Sequence, residues 1–253
     1  MAAIWLAAGC GRIAFDQRGD GTQDGARGDT ASDGLADGSR APITLVQQAT
    51  NEADAVAAMT VTLGSAVGSG DVLVMTASTD TMITGIQSVA GGGAAWMQVS
   101  EVAGSGGSCT GCIRGAMWSG QSAAGGSTSI TVTFAEVAPD DVAVSVSEWS
   151  GLGPTLGGVV TAGPLPTTTV QTGALTTTQA DQLVLAMGAW DRADISAGPT
   201  NGFASLDPAV VPSNSYLASA WLIAPSPASV STGWDLTASP QAWIGIIAAF
   251  SRD

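Results

Sequence analysis

Residues 71–78 read DVLVMTAS, and residues 181–190 read DQLVLAMGAW. The first alternates at period two, as a strand with one face on a core does. The second is more continuously apolar, as a strand buried on both faces would be. Outward from these two the same texture recurs. MTVTL (59–63), SITVTF (129–134) and DVAVSVSEW (141–149) alternate, whereas SYLASAWLIA (215–224) and AWIGIIAAF (242–250) are continuous. No segment holds a 3.6-residue period between caps, so no helix is expected. Turn signals such as GSGD, AGGG, AGGS, APDD, LGP and AGP punctuate the runs. Many short strands at such spacing predict an all-β chain, a β-sandwich or jelly roll.

The two opening stretches also echo each other. GDVLVMTAS (70–78) returns as ADQLVLAMG (180–188), AMWSG (116–120) as SAWLI (219–223), and VAVSVSEWSGL (142–152) as WIGIIAAFSRD (243–253). The offsets are 110, 103 and 101 residues, so the order is kept. The expectation is two similar halves, each a meander of strands. Two halves can make one internally symmetric sandwich or two stacked domains. No linker-like stretch separates them, so residues 42–253 are read as one β-sandwich domain. From Gly70 to the end, the order of GDVLV, AGGSTSITVTF, VAVSVSEWSGL, TTTQADQLVLAMGAW and AWIGIIAAFSR resembles a group of uncharacterised bacterial secreted β-sandwich modules. The Gly-rich GGGAAWMQV and the SCTGC segment depart from that pattern. The resemblance implies a fold and a secreted setting; it brings no catalytic residues.

The N-terminal stretch LAAGC (6–10) resembles a bacterial lipobox, in which small residues precede a cysteine that is cleaved and lipidated. Ala8 and Gly9 fit; Ala7 stands where leucine is usual. That resemblance implies Cys10 as the lipidation site and residues 1–9 as a truncated signal-peptide remnant. MAAIWLAAG has no positive n-region, so the true start is expected upstream. The other reading is a frayed terminus with a free thiol. Beyond Cys10, residues 16–41 are built of Asp, Gly, Arg, Ser and Thr, with almost nothing apolar. Such a tract cannot bury enough surface to offset chain entropy, so residues 10–41 are expected to carry the lipidation site and a disordered tether. RGD occurs there twice (18–20 and 27–29), as chance produces in a tract of that composition.

Composition removes much chemistry. The 253 residues include no His and no Lys. Catalysis by Ser-His-Asp or Cys-His, Schiff-base formation and the commonest metal ligand are therefore excluded. Residues 42–253 keep Arg114, Arg192 and Arg252 against fifteen acids, a net charge near −12. A surface this acidic repels phosphate backbones and lacks the basic face that adsorbs to anionic lipid. Nucleic acid is not an expected partner, and a membrane is reached through the lipid anchor alone.

Several residues stand out as candidates. Cys109 and Cys112 form a C-x2-C whose readings are a small loop disulfide, free thiols, or a redox or metal motif. An exported chain without further Cys or His nearby favours the disulfide. Glu101, Glu136, Glu148 and Asp191 are acids close to apolar strands. Glu148 shares the register of Val142, Val144 and Val146, so it points inward or marks a bulge. An inward acid is either a functional group with raised pKa or a strand-end carboxylate bonded to backbone amides. Of eight tryptophans, Trp149, Trp221 and Trp243 lie inside apolar strands and are expected in the core. Trp190 closes its strand and opens WDRAD, so Trp190, Asp191, Arg192 and Asp194 form the expected ligand site at a sandwich edge. No catalytic residue, metal or cofactor is expected. The chain reads as an exported, lipid-anchored protein of the cell envelope, at the outer membrane or cell surface, with a non-enzymatic binding or adhesion role toward glycan or another surface protein. The alternatives are a polysaccharide-active enzyme using an acid pair, and a purely structural surface module.

Overall fold

The computed structural model describes residues 41–79, 85–106, 109–136, 141–163, 167–210, 215–240 and 242–252, with backbone alone for 105–106, 109–112 and 207–210. The tether, Cys10 and the lipobox-like stretch lie outside the described residues. Residues 40–253 form one compact unit.

All elements among the described residues are strands. The first half contributes β1 (Thr44–Asp54), β2 (Ala58–Thr62), β3 (Val72–Thr79), β4 (Ile86–Gly91), β5 (Ala94–Gly106), β6 (Cys109–Ser122), β7 (Ser129–Phe134) and β8 (Asp141–Ser150). They make a five-stranded sheet in the order β1-β8-β3-β6-β5 and a three-stranded sheet in the order β2-β7-β4. Every pairing is antiparallel. Eight strands wound this way are a jelly roll.

The second half contributes β9 (Leu152–Ala162), β10 (Thr169–Gln171), β11 (Leu175–Thr176), β12 (Gln182–Asp191), β13 (Ile195–Ala197), β14 (Ala204–Val210), β15 (Ser215–Ala224), β16 (Ser229–Val230), β17 (Gly233–Leu236) and β18 (Trp243–Arg252). Its sheets run β9-β18-β12-β15-β14 and β10-β17-β13, with β11 and β16 paired as a small extra ribbon. Without that ribbon, the order is that of the first half, strand for strand. The sequence echoes are thus a tandem repeat of one roll. Val72 of β3 pairs with Gln121 and Trp149; Leu183 of β12 pairs with Ile223 and Phe250. With inward residues laid on inward ones, the offset 101 holds and the other two are 111 and 102. Phe250 therefore occupies the position of Trp149, opposite Leu183 as Trp149 is opposite Val72, both in the core between the rolls, and Ala249 stands where Glu148 does.

The molecule has four layers where a single sandwich has two. One core lies between the sheets of the first roll and includes Val61, Leu73, Met75, Ile130, Val132 and Val144. A second lies inside the other roll, with Val170, Val184, Trp190, Trp234 and Ile247. A third joins the two five-stranded sheets face to face, through Val72, Val74, Met117, Trp149, Leu185, Met187, Ile244 and Ile246. Trp149 and Trp221 meet edge to face across that joint, centroids 5.4 Å apart. Gly115 lets the sheets close: a Cβ there would lie 2.2 Å from Ile244 Cδ1.

This stacking explains why alternating and continuous strands end up alike. All residues of β3 and β12 are buried. On β3 and β8 the polar half of the alternation faces the second roll instead of water. Ser78 and Ser215 share a hydrogen bond of 2.7 Å, and Thr76 and Ser219 one of 2.9 Å. Trp149 Nε1 donates to Ser147 Oγ at 2.9 Å. Buried hydroxyls so paired avoid the desolvation cost of an orphan.

Candidate functional site

The WDRAD segment is not an exposed platform. Trp190 is fully buried, because its strand continues between two sheets to its last residue. Its ring stacks on Tyr216, centroids 5.7 Å apart, and Nε1 donates to Ala193 O at 2.6 Å. Asp191 is buried as well, and its Oδ1 accepts from the Ala242 amide at 2.8 Å. Asp194 accepts from the Tyr216 hydroxyl at 3.2 Å; burial first, then that bond and the carboxylate's charge, hold the Tyr216 pKa above its usual value. Arg192 is exposed at φ +57°, in the tight turn after β12. The polar groups of Trp190, Asp191 and Asp194 are committed to the fold. The register that brings Trp190 opposite both Tyr216 and Trp243 carried the contrary signal.

The other acids divide. Glu101 is ion-paired with Arg114 across β5 and β6. Glu136 lies exposed beyond β7. Glu148 is fully buried on the face of Val142, Val144 and Val146, as its register implies. Oε1 accepts from the Gly68 amide at 2.7 Å, and Gln47 Nε2 donates to Oε2. Gln47 in turn clamps Ser65, donating to its carbonyl at 3.0 Å and accepting from its amide at 2.9 Å. The β1 register slips between Leu45 and Gln47, which turns Gln47 onto the acid. Asp71, just before β3, completes the cluster. Burial first, then a hydrogen bond and repulsion from Glu148, push the Asp71 pKa up to about 6. In the second roll Asp181, just before β12, meets Arg252 Nη1 at 3.2 Å instead. Carboxyls in hydrogen-bond contact are closer than the roughly 5–9.5 Å that either glycosidase geometry requires. Sequence alone gave no sign of Asp71 or Gln47, which meet Glu148 only through the fold.

Both cysteines of C-x2-C fall in β6, and their side chains lie outside the described residues. Among the described residues no group of three or more metal-ligating side chains is assembled.

Two grooves remain. One, about 320 Å³, is lined chiefly by Val72, Ala95, Met97 and Pro154 where β9 passes the first roll. The other, also about 320 Å³, opens in the second roll between the end of β10, the β13–β14 loop and the start of β17. Thr169, Gln171, Thr200, Asn201, Ser231 and Thr232 line it, with no ionisable side chain among its walls. Its loops are braced from within: Asn201 Nδ2 donates to Ser231 O at 2.9 Å, Thr232 Oγ1 to Thr200 O at 3.0 Å, and the Gly233 amide to Thr200 Oγ1 at 3.1 Å. Hydroxyls, amides and no charge suit hydrogen bonding to a neutral ligand, and offer no nucleophile–base pair.

Comparison of the chain with protein-family models, with curated proteins and with solved structures finds no match.

Proposed function

We propose that this chain is an exported, lipid-anchored protein of the cell envelope whose double roll is a non-enzymatic binding module, toward glycan or another surface protein. The observation that carries the reading is the division of polar groups. Buried acids are spent on internal bonds, while an open groove keeps uncharged hydroxyls and amides for an outside partner. The lipobox-like LAAGC, the tether-like tract after it and the resemblance to secreted β-sandwich modules supply the envelope setting. The compact unit begins at residue 40, where the Asp/Gly tract ends. The contact between Asp71 and Glu148 counts against a polysaccharide-cleaving pair.

The setting is tested by expressing the gene from its own chromosomal context in a bacterial host. The wild type is expected in the detergent phase with acyl mass on Cys10, and Cys10→Ala in the aqueous phase. A soluble, unacylated wild type contradicts the anchor.

A further inference from the structure

The two rolls share one strand order but not one set of loops. At one end of each roll, three connections meet. In the first roll they are 63–71, the two-residue turn Gly92–Gly93, and 123–128. There the end is shut. Val67 and Gly126 exchange backbone hydrogen bonds of 3.1 and 3.2 Å. Gly126 lies so close to the turn that a Cβ on it would sit 2.0 Å from the Gly92 carbonyl carbon. In the second roll the matching connections are 172–181, 198–203 and 225–232. The two-residue turn has become six residues, carrying an Asn201–Gly202 turn at φ +58° and +78°. Connections 172–181 and 225–232 still exchange backbone bonds, through the β11–β16 ribbon and from Thr172 N to Thr232 O at 3.1 Å, but the longer 198–203 connection leaves a groove beside them.

We infer that this groove, opened by loop divergence in the second copy of the roll, is a binding site for a small uncharged sugar, one or two rings of a neutral glycan. The inference rests on the reading of the protein as a binding module and names its site and ligand class. Several observations converge. Ligand pockets run from roughly 300 to 1,000 Å³, and this groove lies at the small end. Its free polar atoms pair with hydroxyls: the Gln171 carboxamide and the Ser231 hydroxyl have no partner among the described residues, and Asn201 Oδ1 is spare. A net charge of −14 and the lack of any cation in the walls disfavour uronic acids, sulfated sugars and phosphates. No aromatic ring lines the groove, so stacking is absent and affinity is expected in the millimolar range. The bracing bonds hold the loops before a ligand arrives, which limits the ordering cost on binding.

The test is an amide chemical-shift titration of the full chain with neutral mono- and disaccharides, with glucuronate as the charged counterpart. Two variants accompany it. Gln171→Ala removes an exposed, unpartnered carboxamide, and Ala174→Trp places bulk in the groove from an exposed position. The expected result is saturable shifts confined to 169–174, 198–203 and 231–233 with a neutral sugar and none with glucuronate. Gln171→Ala should weaken them by about tenfold, the scale of one lost hydrogen bond, and Ala174→Trp should abolish them. Sugar-dependent shifts elsewhere, unchanged in Ala174→Trp, overturn the groove as the site while leaving a binding module. Silence with every neutral sugar, with both variants folded, overturns the ligand class. Binding of unmodified peptide at these same residues does so too.

Discussion

Trp190 and Asp71 show how one residue's surroundings decide its role. An indole ending a strand beside two acids and an arginine has the composition of a ligand platform. The structure spends it on the core, where it fills space and its N–H meets Ala193. Trp190→Ala is accordingly expected to cost about 3–5 kcal/mol in chemical denaturation, the range for a buried Trp. A loss under 1 kcal/mol would place the ring at the surface. Asp71 is legible only as a neighbour of Glu148. Its pKa of about 6 stands well above that of an ordinary aspartate, so between the two the folded state holds a proton that the unfolded chain has released. That contribution is complete below about pH 4 and is lost as pH rises through 6. Asp71→Asn keeps a hydrogen-bond donor toward Glu148 at every pH. With partial exposure discounting the effect to about 1 kcal/mol, Tm should rise about 2–4 °C at pH 7 and stay unchanged at pH 4. A lower Tm at pH 7 would mean that the carboxylate is stabilising there.

At the scale of elements, the strands themselves were written plainly. DVLVMTAS and DQLVLAMGAW are β3 and β12 almost to the residue. What faces each strand was not. A Ser or Thr in an alternating strand reads as a solvent position, because the period gives two faces without saying what covers either. Here those faces meet each other, and hydroxyl pairs do there what water does on an ordinary sandwich. The Ser78–Ser215 bond makes this measurable. Ser78→Ala should cost about 1–3 kcal/mol by orphaning Ser215, and the reverse variant the same. The double variant should cost less than the sum, with a coupling of about 1 kcal/mol or more. Strict additivity would indicate that the two hydroxyls do not touch. The groove escaped the sequence for a related reason. Thr, Ser, Asn and Gln spread over residues 169–233 form no motif, and only the fold assembles them.

For the whole molecule, the tandem echo was readable because strands of both copies kept their apolar order. The four-layer stacking was not, since one sandwich and two stacked rolls share that pattern. The central claim is that the rolls are joined by a core of their own, built on β3, β8, β12 and β18, whose residues are as fully buried as those inside each roll. Two domains touching through a polar surface would unfold separately, whereas a shared apolar core couples them. Differential scanning calorimetry of the full chain tests this most directly. The account predicts one transition whose calorimetric and van't Hoff enthalpies agree, at about 150 kcal/mol near 60 °C for some 210 folded residues. Two resolved transitions of about half that enthalpy, one for each roll, would contradict it.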